Sequence, residues 1–454
     1  MKGHKYWSYT PYKPLLVDVG DPYICRIVPS PDRIHLEWFG NGGDVYCRVR
    51  GEEKFEHKGH TDGSSFDITG LTVNTDYEFY VERNGSKSRV RLARAGEGVG
   101  TTVNYLHPED NAYSFSGSYI ASPSMVRHPD GYLLASMDVF GRGTPQNLSF
   151  IFRSDDDGES WYHVCELMPC FWGRLFIHRG DVYMLSVNTE YGDLLIGKSE
   201  DGGKTFSAPV TLLRGSGGKR GFEGVHKNPQ PVVEYNGRLY ESLEWGTWDN
   251  KAYGHAAMVM SAPVDSDLLD PESWSFTEPV KFGHFAPELE HLPMNTMTIE
   301  GCVTPAPDGK LYNIMRFGME NKVLAYEIDQ NDHDAPLKYS HLITMPTVWS
   351  KFMIKRDEVN GKYYSVITRM FDGNPHFRNL LSLIVSDDLE NWKVVTDLID
   401  YRDADKQKHG FQYVDFHFDG NDIIYLCRTG INNPHDYHDS NYITFHRIKN
   451  FREL

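Results

Sequence analysis

Several groups of polar side chains in this chain are of the types that acid–base and nucleophilic chemistry use. His409-Gly410-Phe411-Gln412-Tyr413 sets a histidine four residues ahead of a tyrosine. His226 and Glu244 flank a turn at Gly237, and His255 follows on the next apolar run. The stretch Asn433-Pro434-His435-Asp436-Tyr437-His438-Asp439-Ser440-Asn441-Tyr442 is rich in polar residues. Such a histidine or carboxylate either moves a proton for a reacting group or satisfies backbone groups of its own loop. A tyrosine, with a free pKa of about 10, is a weak nucleophile until a neighbouring carboxylate takes its proton. The 20 histidines show no HxH or HExxH spacing, so no zinc site is expected and no cofactor is implied.

The elements that must position these groups are hairpins. A hydrophobic run, a glycine turn and a second hydrophobic run recur at Gly131 (HPDGYLLAS), Gly180 (IHRGDVYML), Gly237 (EYNGRLYES), Gly309 (APDGKLYNI), Gly361 (EVNGKYYSV) and Gly420 (HFDGNDIIYL). Asn-Gly and Asp-Gly between apolar runs signal tight hairpins, because both turn residues need positive φ. The repeats lie roughly fifty to seventy residues apart, the spacing of four-stranded propeller blades. The spacing predicts an all-β fold, a six-bladed β-propeller over residues 101–454. In such a fold the inner-strand ends of all blades converge on one axis, so distant residues share a pocket.

Two segments fit the pattern S-x-D-x-G-x-[ST]-[WF]: Ser154-Asp155-Asp156-Asp157-Gly158-Glu159-Ser160-Trp161 and Ser199-Glu200-Asp201-Gly202-Gly203-Lys204-Thr205-Phe206. Ser386-Asp387-Asp388-Leu389-Glu390-Asn391-Trp392 keeps the serine, aspartate and tryptophan. In such a turn the carboxylate accepts backbone N–H groups and the aromatic tucks between strands, so these acids are structural. With these Asp-boxes the chain resembles the sialidase-like, BNR-repeat propellers.

The resemblance extends to the family's site. Its tyrosine opens an inner strand of the last blade, matched here by Tyr413-Val414-Asp415-Phe416 before Asp419-Gly420. Its glutamate opens blade four, followed by an Asp-Gly hairpin and an arginine, matched by Glu300, Asp308-Gly309 and Arg316. A further arginine precedes the strand leading to a late Asp-box, matched by Arg378 ahead of Asn379. The resemblance implies Tyr413 as nucleophile, Glu300 as its base, and Arg316 and Arg378 as a carboxylate clamp. A tyrosine suits a sugar with a carboxylate on its anomeric carbon, which would repel an anionic nucleophile.

The chain departs from the family in two places. Ala121 or Ser122 stands where the family's first clamp arginine belongs, and Asp138-Val139-Phe140 replaces a second arginine segment. No carboxylate occurs on the loop Gly141 to Asn147, where the family's acid/base aspartate belongs. Asp138, His438 and Glu244 are the expected substitutes. Arg174, Lys227 and Lys351, at equivalent inner-strand starts, are expected to supply further cations around the axis. A ring with several cations suits an acidic sugar, sialic or uronic.

Ahead of the propeller, RIHLEWF, DVYCRVR, SFDITGL, DYEFYVE and SRVRLAR alternate in the manner of sandwich strands. Leu71-Thr72-Val73-Asn74-Thr75-Asp76-Tyr77 resembles the tyrosine corner of fibronectin type III domains, with Val73 at the family's proline, and Trp38 stands at the place of the core tryptophan. Residues 1–100 are therefore expected to form an N-terminal fibronectin III-like β-sandwich, with AGEGVGTT as hinge. The six cysteines have no CxxC spacing and read as buried thiols, with a Cys25–Cys47 bridge as one open pairing.

Acidic residues number 63 against 46 basic ones, a net charge of −17, which argues against nucleic acid or an anionic membrane as partner. No run of eighteen apolar residues suggests a membrane span, and MKGHKYWSYTPYKP has no apolar leader core. The chain reads as cytoplasmic, or as secreted or periplasmic if a leader has been removed. The expected activity is that of an exo-acting, retaining glycoside hydrolase releasing a terminal acidic sugar from a glycan. A uronate-specific polysaccharide lyase and a non-catalytic glycan-binding propeller are the alternatives.

Overall fold

The computed structural model describes Trp7 and residues 22–216, 222–248 and 254–454. The leader reading of the N-terminus lies outside them, as does part of the loop after Trp245. The chain is nearly all β, and every strand ladder pairs antiparallel.

Residues 24–94 form two sheets. Ile24–Pro29, Arg33–Trp38 and Ser65–Thr69 make the first, and Glu56–Thr61, Gly43–Val49, Asp76–Arg83, Ser86–Lys87 and Arg91–Arg94 the second. The alternation in RIHLEW and GDVYCRV is the reason. One face of each strand carries Ile34, Leu36 and Trp38, or Val45 and Cys47, all fully or almost fully buried, while the other faces solvent. The Tyr77 hydroxyl accepts the Thr72 N–H at 2.8 Å, pinning the intervening turn. Cys25 and Cys47 lie buried in different sheets, and no disulfide joins them.

From Tyr119 onward six sheets follow in chain order. In five of them the glycine hairpin joins the first two strands, in the third it joins the short Val233–Tyr235 to Arg238–Gly246, and the six turn glycines have φ between 62° and 95°. The first strands face one axis: in the sixth sheet, Asp415 accepts the Arg174 guanidinium of the second sheet at 2.5 Å and Met125 N–H of the first at 2.6 Å. The last sheet is completed from far upstream, since Thr101–Tyr105 pairs with Tyr442–Ile448 at its outer edge. This pairing ties the segment ahead of the first sheet to the last strand of the sixth.

Asp156 accepts Ser160 N–H at 2.9 Å, Asp201 accepts Thr205 N–H at 2.9 Å and Asp388 accepts Asn391 N–H at 2.8 Å. Trp161 and Phe206 are buried beside them. Among the described residues no helix is long and apolar enough to cross a membrane.

The two-sheet unit is bolted to the ring by buried polar contacts. Arg26 donates to the carbonyls of Val103 at 2.7 Å and Thr102 at 3.0 Å. Arg91 pairs with Asp110 at 2.7 Å and donates to Ile24 O, and both side chains are almost completely buried. Trp7 N–H bonds Phe206 O at 3.0 Å, and its ring packs among side chains of the first two of the six sheets. Removing one partner of a buried ion pair leaves the other charge uncompensated, at a cost of about 3–5 kcal/mol. We expect Asp110→Ala to lower the unfolding free energy by that amount in urea titrations, while Asp156→Ala, on an exposed turn, costs about 1 kcal/mol.

Candidate active site

Four of the innermost strands share one irregularity. Tyr119–Arg127, Phe171–His178, Thr298–Pro305 and Gly410–Asp419 each break register with the second strand at a bulge. Each bulge holds a non-glycine residue in the left-handed region: Ser122 (φ 52°), Trp172 (51°), Glu300 (57°) and Tyr413 (53°). A bulge re-aims a side chain that the pleat would otherwise point along the sheet face. All four residues line one cavity of about 450 Å³, together with Arg316, Arg378, Arg428, His226, His438 and Trp248.

The cavity holds the expected tyrosine and glutamate in contact. Tyr413 Oη donates to Glu300 Oε1 at 2.9 Å, and Arg316 Nη1 reaches Glu300 Oε2 at 2.7 Å and Tyr413 Oη at 3.2 Å. Burial works against the Glu300 charge, but Arg316 outweighs it, so the carboxyl lies below the ordinary range and is ionised. Burial, with the Glu300 charge adding to it, pushes the Tyr413 phenol upward, so the resting state is a neutral phenol beside a carboxylate. Two further guanidiniums flank the tyrosine ring, Arg378 at 5.7 Å and Arg428 at 5.0 Å from its centroid. Burial pushes Arg378 down to about 10, still charged at neutral pH. Among the described residues neither forms a salt bridge to a carboxylate, so the site carries cationic charge that its own acids do not neutralise.

Of the residues expected from the sequence, Tyr413, Glu300, Arg316, Arg378 and His438 line this cavity. Asp138, Arg174, Lys227, Lys351 and Glu244 do not, and each has a different task. Asp138 lies beneath the floor and accepts Ser149 Oγ at 2.5 Å and Trp172 N–H at 2.7 Å. Arg174 is spent on Asp415. Lys227 pairs with Glu241 and donates to Trp172 O, both at 3.0 Å. Lys351 donates to Pro229 O at 2.9 Å, and burial pushes its amine down to about 8. Glu244 lies behind the wall, bonded to His226 Nδ1 at 2.6 Å and to Gly301 N–H at 3.3 Å. These are buried groups that satisfy backbone atoms or charges left over where the bulges interrupt the ladders. His438 reaches the cavity but is held neutral: burial and the Arg428 charge bring it down to about 3.

Sequence reasoning missed Arg428, Trp172 and Trp248, and named His226 among the polar groups that could move a proton without ranking it beside Asp138, His438 and Glu244. A signal existed for Arg428. It stands opposite Gln412 in the ladder as Arg316 stands opposite Ile299, each next to a bulge residue. In sequence each lies two residues before a glycine, as Arg316-Phe317-Gly318 and Arg428-Thr429-Gly430. Asp138 occupies the same ladder position opposite Ala121, and Glu244 the same position opposite His226.

No family model and no curated protein sequence matches this chain. Solved structures do resemble it. The Hadza microbial sialidase Hz136 is 12% identical with a TM-score of 0.52, over 95% of this chain and 96% of that one. An α-L-arabinanase of Penicillium chrysogenum complexed with arabinobiose is 15% identical with a TM-score of 0.51, over 79% and 99%. An α-L-arabinofuranosidase of Fusarium graminearum, as a point mutant with an iminosugar inhibitor, is 15% identical with a TM-score of 0.51, over 78% and 98%. At these identities the likeness defines the class of fold, a propeller-type all-β architecture.

Burial raises the Asp138 carboxyl to about 7, against which hydrogen bonds from Ser149 and Ser122 pull. The folded protein thus keeps a proton that the unfolded chain releases near pH 4. Its contribution to stability is complete at low pH and is lost as pH rises from about 4 to about 7. We expect Asp138→Asn to remove this loss. Relative to the parent, its unfolding free energy in urea should gain about 2–3 kcal/mol between about pH 5 and about pH 8.

Proposed function

We propose that this protein is a retaining, exo-acting glycoside hydrolase that releases a terminal acidic sugar from a glycan. We assign it a six-bladed propeller over residues 101–454, carrying the site, and a fibronectin III-like sandwich over residues 1–100. The sandwich assignment is supported by its two sheets and the Thr72–Tyr77 contact.

The observation that carries the reading is the contact of Tyr413 with Glu300 inside a cavity with surplus cationic charge. A substrate carboxylate on the anomeric carbon would be held by Arg378 and Arg428, neither of which is committed to an acid. Arg316 is the bridge: one nitrogen contacts both Glu300 and Tyr413, so it keeps the carboxylate ionised and steadies negative charge on the phenol oxygen as the proton leaves. Tyr413 Oη attacks the anomeric carbon and its proton passes to Glu300 Oε1. A neutral phenol approaches an anionic centre without the repulsion a carboxylate would meet. The glycosyl–tyrosine bond then yields to water from the face the leaving group vacated, so configuration is retained. The solved structures of similar fold include a sialidase, an α-L-arabinanase and an α-L-arabinofuranosidase, which supports a glycan as substrate and leaves the sugar's acidity to the arginines.

The test is product analysis by mass spectrometry and NMR on a panel of sialosides and uronides, run with the parent protein and Tyr413→Phe. We expect an intact acidic monosaccharide of retained configuration, with turnover falling by about 10³-fold or more in the variant. An unsaturated product, lighter by one water than the monosaccharide, would replace this reading with elimination beside a uronate carboxylate. Glycan binding without product, unchanged in the variant, would replace it with a binding propeller.

A further inference from the structure

The cavity contains a nucleophile, its base and a carboxylate clamp, but the loop Gly141 to Asn147 supplies no acid for the leaving group. Proton donors among the described lining residues are few. Glu300 is engaged with Tyr413 and Arg316. Glu190 accepts from Gln146 Nε2 at 2.9 Å. His438 sits against Arg428 and Asp439, and Asp138 is under the floor.

We propose that His226, oriented by Glu244, is the acid–base catalyst that serves the leaving group; this rests on the hydrolase reading. Its Nδ1 bonds Glu244 Oε2 at 2.6 Å, and both side chains are almost completely buried. A carboxylate acceptor fixes Nδ1 as the protonated nitrogen, so Nε2 is the atom that exchanges a proton with substrate. It also stabilises the imidazolium, as the aspartate does in serine hydrolase triads. The other Glu244 oxygen accepts Gly301 N–H, the residue after Glu300. One carboxylate therefore ties the acid to the very bulge that carries the base of the nucleophile. Trp172 lies edge-on to the imidazole at 4.5 Å between centroids and Trp248 at 5.9 Å, apolar walls against which a leaving sugar ring can rest. Both rings line the cavity with His226.

The proton balance closes. As Tyr413 Oη bonds the anomeric carbon and gives its proton to Glu300, the glycosidic C–O bond breaks and the departing oxygen takes the Nε2 proton. Water then attacks the same carbon and gives its proton to Nε2, the carbon–tyrosine bond breaks, and Glu300 returns the phenol proton. The sum is glycoside plus water giving free sugar plus alcohol.

The experiment compares kcat/KM for two substrates of one sugar, a natural glycoside with a poor leaving group and a nitrophenyl glycoside that departs unaided. In His226→Ala we expect the first to fall by about 10²–10⁴-fold and the second by less than about tenfold. Azide should raise turnover of the nitrophenyl substrate and yield the glycosyl azide. His226→Asn, which keeps a polar group against Glu244, should show the same split and guards against collapse of the cavity. Glu244→Gln, which acts through His226, should show a weaker split with an altered pH profile. Equal losses on both substrates, or the split in Glu190→Gln instead, overturn the proposal while leaving Tyr413 as nucleophile. Absence of product from the parent protein overturns the hydrolase reading and this one with it.

Discussion

The site depends on a backbone conformation that L-residues ordinarily avoid. Ser122, Trp172, Glu300 and Tyr413 each sit in the left-handed region at the same step of an inner strand. Each such residue costs about 1–3 kcal/mol and persists only where its surroundings over-determine it. The return is positional. Four strands converging on an axis would otherwise point alternate side chains along sheet faces, and the bulge turns one per strand into a common cavity. Tyr413 and Glu300 are 113 residues apart in the chain, yet they meet because both occupy the same step of equivalent strands.

Holding four bulges explains most of the buried polar groups near the axis. A bulge leaves backbone N–H and C=O groups without ladder partners, and buried groups of this kind must find others. Asp138 takes the Trp172 N–H, Lys227 gives to the Trp172 carbonyl, Gln230 gives to the Glu300 carbonyl at 3.1 Å, and Glu244 takes the Gly301 N–H. Asp415 gathers Arg174 and Met125 N–H and so ties the sixth sheet to the first two. Cations that look like ligands in the sequence are thus braces in the fold. Their side chains are engaged one level below the cavity, whereas Arg378 and Arg428 have no carboxylate partner among the described residues.

The same ladder position carries an acid in two sheets and an arginine in two others. Asp138, Glu244, Arg316 and Arg428 all stand on second strands opposite the approach to an inner-strand turn. Arg316 and Arg428 are long enough to pass the bulge and reach the cavity. The shorter acids stop behind it, Asp138 on the Trp172 backbone and Glu244 on His226. Side-chain length, together with the residue across the ladder, separates wall from floor in this propeller-type fold.

Hairpin glycines and acidic turns were legible because each is a local signal, and the tyrosine, glutamate and arginines because their order along the chain resembles a known pattern. Asp-Gly and Asn-Gly demand a turn wherever they stand, and the aspartate of an acidic turn bonds atoms only a few residues away. The sequence by itself therefore determined an all-β chain of repeated hairpins and put Tyr413, Glu300, Arg316 and Arg378 forward as a set. Which polar groups face the cavity was decided by tertiary structure alone. Arg428 enters it, while Arg174, Lys227 and Lys351 turn to carbonyls and carboxylates of neighbouring sheets, and Asp138 passes under the floor. Those partners lie as far as 241 residues away along the chain, and a buried charge takes the partner that the packed sheets bring to it. No spacing along the chain encodes that choice.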